Sequence, residues 1–254
     1  MEFGVQTFTV RRMQKKNIRQ AYLPLIKLGI KNFEVARIDF NEKNAKALNE
    51  LKNEFGIEIS SIQVKPKYVF GDPDKIIKFC KATGCKNVVI SMLPFKCILG
   101  KEKTFYEFIS SLDKAFDEYA ENGITLAYHH HNWEYLKLSN GKTRMNELLH
   151  QTKKLKFVHD TYWTAKCGIS PALQIKEFGE RLLGIHLRDL TFKKRGIDVK
   201  GADAAIGDGV IDFTSVLDAA EKTSCLYLVI EQNTKEPYAE IEKSLNTLFN
   251  IRKG

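Results

Sequence analysis

At 254 residues and 43% hydrophobic content, the chain can bury the core of one large domain or two small ones. No apolar run approaches the ~18 residues of a membrane span, and "MEFGVQTFTVRRMQKK" lacks the apolar segment and cleavage site of a signal peptide, so a cytoplasmic protein with no membrane partner is expected. The net charge of +9 would attract phosphate-bearing ligands, but short clusters such as "KEKTF", "QTKKLK" and "FKKRG" lack regular aromatic interleaving and read as solvated surface, with no nucleic-acid partner.

Apolar runs alternate with amphipathic stretches along the whole chain. "FGVQTF" reads as a strand, and "NIRQAYLPLIKLGI" as a helix closed by Gly29. "NFEVARI" is a second strand, and "NEKNAKALNELKNEFG" a helix running from an Asn cap to Gly56. "IEISSIQV" is a third strand, "DPDKIIKFCKATG" a helix with Pro in its first turn, and "KNVVISM" a fourth strand. "EKTFYEFISSLDKAFDEYAENG" is a long helix, "ITLAYHHH" the fifth strand, "TRMNELLHQTK" a helix and "LKFVHDTYW" the sixth strand. "SPALQIKEFGE" is a helix, "LLGIHLRD" the seventh strand, "DFTSVLDAAEKTS" a helix, "LYLVIEQ" the eighth strand and "PYAEIEKSLNTLFNI" the last helix. Eight strand–helix units without a nucleotide-binding glycine fingerprint predict a single-domain α/β protein, a (β/α)8 TIM barrel over residues 1–254. "GDG" at 207–209 falls in the loop after the seventh strand as a turn. The five cysteines have no CxxC spacing and read as reduced, mostly buried thiols.

Barrel chemistry sits where strands end, so the polar residues ending each strand are the informative ones. The fifth strand ends in His129, His130 and His131, the sixth in Asp160, the seventh in His186 and the eighth in Glu231. Strand alternation puts His129 and His131 on one face and His130 on the other, with apolar Leu126 and Tyr128. His129 and His131 therefore face the barrel axis, and either could join Asp160, His186 and Glu231. Each residue alone reads as a hydrogen-bonded strand end. Four matching positions on consecutive strands predict a shared divalent ion (Mn, Co, Zn or Mg), which would offset the cost of burying two carboxylates. His159 and His150 carry no functional weight.

These motifs resemble the sugar phosphate isomerase/epimerase family of xylose-isomerase-like barrels, a superfamily shared with inosose dehydratase and ketose 3-epimerases. "FGVQTFTVRR", "YHHHNWEY", "HDTYWTAKCGISP", "GIHLRD", "IGDGVIDF" and "YLVIEQN" carry the resemblance over nearly the whole chain. It implies metal ligation by His129, Asp160, His186 and Glu231, with Glu231 also acting as a base on a small-molecule sugar or sugar derivative. Many of those epimerases have a glutamate where this chain has His129. The second base would then be Glu134, His131 or Glu34. The His-rich motif also resembles inosose dehydratase, which makes a keto-sugar or inosose dehydratase or lyase the alternative.

Lys65 and Arg188 are candidates for holding a negative group, Phe8 and Trp163 for walling the sugar, and Asp189 for orienting His186. A three-zinc DNA-repair endonuclease of the same superfamily would need more ligands than six histidines supply. A non-catalytic sugar-binding barrel would need no metal. A homo-oligomer is compatible with a barrel whose site is completed by a partner's loop.

Overall fold

The structure, a computed structural model, describes residues 2–253. Strands β1 (Phe3–Gln6), β2 (Asn32–Ala36), β3 (Glu58–Val64), β4 (Asn87–Ile90), β5 (Thr125–His129), β6 (Lys156–Asp160) and β7 (Leu182–Leu187) form most of a closed barrel. After β7 the chain makes an antiparallel hairpin, β8 (Asp189–Arg195) and β9 (Asp198–Ala204). It then returns as β10 (Tyr227–Ile230), which pairs in parallel with both β7 and β1 and closes the ring. The order around the ring is β1-β10-β7-β6-β5-β4-β3-β2. The eight barrel strands alternate with helices, so the (β/α)8 expectation holds.

The two faces of each strand are filled differently. Val35, Ile62, Tyr128, Phe157, Ile185 and Ile230 pack outward into the main helix–strand core. A separate cluster of Val89, Ala127, Val158, Leu183, Tyr227 and Val229 fills the lumen. Period two makes this division except at the start of β7, where a register shift against β6 lets Leu183 face the lumen as well, and the same period lifts His129, Asp160, His186 and Glu231 above the lumen plug.

The helices begin where short polar side chains satisfy free backbone N–H groups. Asn17 accepts from Gln20 N at 3.0 Å and Asn41 from Asn44 N at 2.9 Å. Left-handed Gly56 and Gly84 close the helices that precede them.

Several strands end sooner than their apolar runs. "LKFVHDTYW" stops at Asp160, whose carboxylate accepts from Trp163 N at 3.0 Å and starts a helix at Thr161. "NFEVARI" stops at Ala36, because Arg37 turns left-handed with φ 60°. The hairpin corrects the expectation of a plain loop after the seventh strand. Most of its residues are exposed, so burial imposes little hydrophobic alternation on its sequence. The "FKKRG" cluster lies there, in solvent. Among the described residues no helix is long and apolar enough to cross a membrane, and all five cysteines are free.

The lumen plug has one tight contact. A Cβ added to Gly184 would lie 2.3 Å from the Tyr227 ring, which is itself tethered through its hydroxyl to Glu34 at 2.8 Å. We expect Gly184→Ala to lower stability by about 1–3 kcal/mol, the usual range for overpacking. Urea denaturation checks this, and an unchanged midpoint would contradict the packing.

Candidate metal centre

His129 ends β5, Asp160 ends β6, His186 lies near the end of β7 and Glu231 follows β10 directly. Asp160 is in register with His186, and Val229 with His186, which brings Glu231 to the rim above it. All four side chains are buried, and one ligand-type atom from each falls within 4.8 Å of the others. His186 Nδ1 lies 3.0 Å from Glu231 Oε2 and 3.9 Å from Asp160 Oδ2. His129 Nε2 lies 3.5 Å from Asp160 Oδ2. Despite these approaches, neither His129 Nε2 nor His186 Nδ1 is aligned for a hydrogen bond. Both nitrogens are aimed at a common centre.

The opposite ring nitrogens explain the aim. His129 Nδ1 lies 3.3 Å from the Ser91 carbonyl, which can only accept, so Nδ1 carries the proton and Nε2 keeps a lone pair. His186 Nε2 lies 2.7 Å from Glu34 Oε1 and donates to it. Glu34 is fully buried and also accepts from Ser61 Oγ at 2.6 Å and Tyr227 OH at 2.8 Å. Burial alone would raise the Glu34 carboxyl, but His186 and these hydrogen bonds hold it below the ordinary carboxylate value. Burial would lower His186, but Glu34 and Glu231 push it up to about 10. Loss of the Nδ1 proton, with Nε2–H retained by Glu34, would leave a neutral donor pointing into the cluster.

Arg188 neutralises part of the charge. Its Nη1 lies 3.2 Å from Asp160 Oδ2 and 3.1 Å from Glu231 Oε1, while Nη2 lies 2.7 Å from Asp203 Oδ1. Burial would raise the carboxyls of Asp160 and Glu231, yet Arg188 and the neighbouring imidazoles hold both below the ordinary value. Glu34, Asp160, Asp203 and Glu231 outnumber the cations His186 and Arg188. The donor set, the two orphaned nitrogens and this charge deficit all fit a divalent cation held by His129, Asp160, His186 and Glu231.

The cluster opens into a cavity of about 580 Å³ lined by Phe8, Lys65, His129, His131, Trp163, Arg188 and Glu231 among others. These candidates are brought together. His131 faces the cavity with Nδ1 unpartnered, and burial and His129 push its imidazole well below the usual value, so the ring is neutral.

Three expectations are corrected. Glu134 does not reach the cavity; it accepts from the Tyr128 hydroxyl and, at 2.8 Å, from His131 N on the outer side of β5. Glu34 does not line the cavity either, because it lies beneath His186 and orients it. Asp189 does not touch His186. It accepts from Leu190, Gly207, Gly209 and Ile211 backbone N–H groups at 2.8–3.2 Å and organises the "GDG" loop. Arg188 lines the cavity, but its guanidinium is engaged by three carboxylates.

His130 faces outward as its parity requires. Its Nε2 accepts from Asp160 N at 3.0 Å and lies 3.1 Å from His159 Nδ1. Sequence reasoning missed Asp203, which the unrecognised hairpin delivers, and also Arg37 and Gln63. Parity could have found Gln63, which is two residues beyond lumen-facing Ser61.

The sequence matches the family described as xylose isomerase-like TIM barrel over residues 25–251. No curated protein matches it. Among solved structures it is similar to a sugar phosphate isomerase/epimerase from Parabacteroides distasonis (20% identity, TM-score 0.75, 97% of this chain and 92% of that one). The zinc-bound IOLI protein is also similar (15%, TM-score 0.74, 99% and 98%). So is a probable 3-DHS dehydratase, AsbF, from Bacillus anthracis (13%, TM-score 0.72, 98% and 99%). At these identities the structures share the fold.

If Glu34 sets the His186 tautomer, Glu34→Gln should weaken Mn²⁺ binding by about 10–100-fold, the usual effect of losing an outer-shell carboxylate. Asp189→Asn should lower the melting temperature and leave Mn²⁺ affinity within about threefold, since its partners are backbone groups. Calorimetric titration and thermal melts on both variants separate the two roles, and equal loss of affinity in both would refute the assignment.

Proposed function

We propose that this chain, which belongs to the xylose isomerase-like TIM barrel family, is a divalent-metal-dependent sugar isomerase or epimerase that moves a proton next to a carbonyl. The observation that carries the reading is the convergence of His129, Asp160, His186 and Glu231 within 4.8 Å, with His129 and Glu231 lining the adjoining cavity. A divalent ion held by these four would supply Lewis-acid polarisation of a sugar carbonyl and its neighbouring oxygen.

The chain's own residues would do the rest. Glu231 is kept ionised by Arg188 and His186, so it is ready to accept a proton from the carbon beside the carbonyl. Neutral His131, which lines the cavity and has its Nδ1 unpartnered, would return or relay a proton at a second position. Phe8 and Trp163 would wall the sugar with apolar ring faces and restrict water.

A dehydratase or lyase acting on a keto-sugar or inosose is the second reading. It is favoured by the composition of the cavity wall: Asp39 and Glu231 are the acidic lining residues, and Asp39 is exposed. With Glu134 and Glu34 placed elsewhere, Glu231 has no second buried carboxylate on the cavity as partner, and the proton it accepts from carbon would be the one a departing hydroxyl takes up as water leaves.

Manganese-loaded protein incubated with ketoses, inososes and 3-keto-glycosides in D2O should place deuterium beside the carbonyl of a recovered sugar. Loss of water, read by mass, would select the lyase reading instead. Glu231→Gln should reduce exchange by about 10²–10⁴-fold, and His131→Asn should keep exchange while losing net conversion. Absence of both exchange and water loss with every class would count against the proposal.

A further inference from the structure

The wall of the cavity opposite the metal-type ligands is basic. The strand order sets the ends of β2 and β3 across the barrel mouth from β6 and β7, which carry Asp160 and His186. Arg37 follows β2 directly, Gln63 lies on β3, and Lys65 follows that strand; all three line the cavity. Lys15 and Lys43 line it beside them, with Asp39 the one acidic lining residue on this side. None of these four cations forms an ion pair among the described residues.

Two local features make this wall more than a solvated surface. Arg37 is the one non-glycine residue with positive φ among the described residues, at 60°, and its guanidinium sits 5.3 Å from the centroid of the Phe8 ring. The second is a relay of amides. Phe8 N donates to Gln6 Oε1, and Gln6 Nε2 donates to Gln63 Oε1 at 3.2 Å. With its oxygen engaged, Gln63 must present its NH2 group elsewhere, and that nitrogen is buried without a partner. An unpaired buried donor is costly, and an acceptor arriving through the cavity would relieve it.

We infer that Arg37, Gln63 and Lys65 bind a terminal anionic group of the substrate, a phosphate or a carboxylate. The protein would then act on acidic sugar derivatives in preference to neutral monosaccharides. This rests on the isomerase, epimerase or lyase reading of the same cavity. A guanidinium, an ammonium and an amide N–H together match an oxyanion in charge and in donor type. Both cations are exposed to solvent, so a neutral hydroxyl would gain only hydrogen bonds from them, whereas an anion would also gain their charge.

The test is calorimetric titration of manganese-loaded and metal-free protein with fructose, fructose 6-phosphate and glucuronate. The wild type should bind at least one anionic probe at least tenfold more tightly than fructose, with and without Mn²⁺. Preference for fructose 6-phosphate assigns a phosphate, and preference for glucuronate a carboxylate. In Arg37→Gly with Lys65→Gln, the preference should fall below threefold while Mn²⁺ affinity stays unchanged. Glycine suits the positive φ, so this variant should melt no lower than one carrying Lys65→Gln alone. Gln63→Glu should independently weaken anionic probes more than fructose. No preference in the wild type, or an intact preference in both variants, overturns the inference. So does a preference seen only with Mn²⁺ bound, which would assign anion recognition to the ion. Failure of Mn²⁺ to bind, with the preference retained, would refute the metal-dependent reading and leave this site standing.

Discussion

The hydrogen bond from His186 Nε2 to Glu34, 2.7 Å long and fully buried, decides which His186 nitrogen is free to face the cluster. Everything below it serves that orientation. Gly184 leaves room for the Tyr227 ring, Tyr227 and Ser61 fix the Glu34 carboxylate, and Glu34 fixes the imidazole. The chain of contacts runs from a missing side chain on β7 across the lumen and back to a histidine on the same strand. A lumen filled entirely by aliphatic residues would plug the barrel equally well but would leave the tautomer of His186 undetermined.

Electrostatics explains why the hairpin belongs to the site although it lies outside the barrel. Asp160 and Glu231 are buried carboxylates a short distance apart, and isolated they would repel each other and resist ionisation. Arg188 bridges them through one nitrogen and is held from the other side by Asp203 on β9. The guanidinium is thereby fixed in place, and Asp160 and Glu231 are spaced by it. Truncating any member of such a buried network leaves an uncompensated charge, which costs far more than the pair contributes. The same geometry makes Arg188 a poor receptor for a substrate anion, since its donors are already used.

Much of this was legible from period two alone. The alternation in "LAYHHH" separates His129 from His130, and the register of four parallel strands then assembles His129, Asp160, His186 and Glu231. The eight-unit rhythm reads as a barrel because each helix must bury one apolar stripe against each strand. What remained hidden depended on contacts distant in sequence or on loop conformation. Nothing near Glu34 indicates that a histidine 152 positions away will accept it as a partner. Glu134 is close to the site in sequence, yet the turn after β5 carries it to Tyr128 on the helix side. Asp189 lies three residues after His186, but the backbone N–H groups of Leu190 and of Gly207, Gly209 and Ile211 in a later loop claim it. The hairpin went unrecognised because its exposed strands have no buried face to impose a pattern.

The cavity is polar in the electrical sense as well as the chemical one. Its β5–β6–β7–β10 half carries acidic groups in excess of cations, and its β2–β3 half carries unpaired cations. Such a field acts on orientation more than on raw affinity, because an elongated ligand with one anionic end has a single favourable direction in it. A sugar chain presents similar hydroxyls along its length, so shape alone distinguishes its carbons poorly. Fixing the far end against Arg37 and Lys65 would determine which carbon lies beside Glu231. In a proton-transfer enzyme that positioning is itself catalytic, since a base contributes only when the reacting C–H is within its reach. The buried, unpartnered amide nitrogen of Gln63 and the orphaned nitrogen of His186 lie on opposite sides of the barrel mouth, the first on the basic side and the second in the cluster suited to a cation.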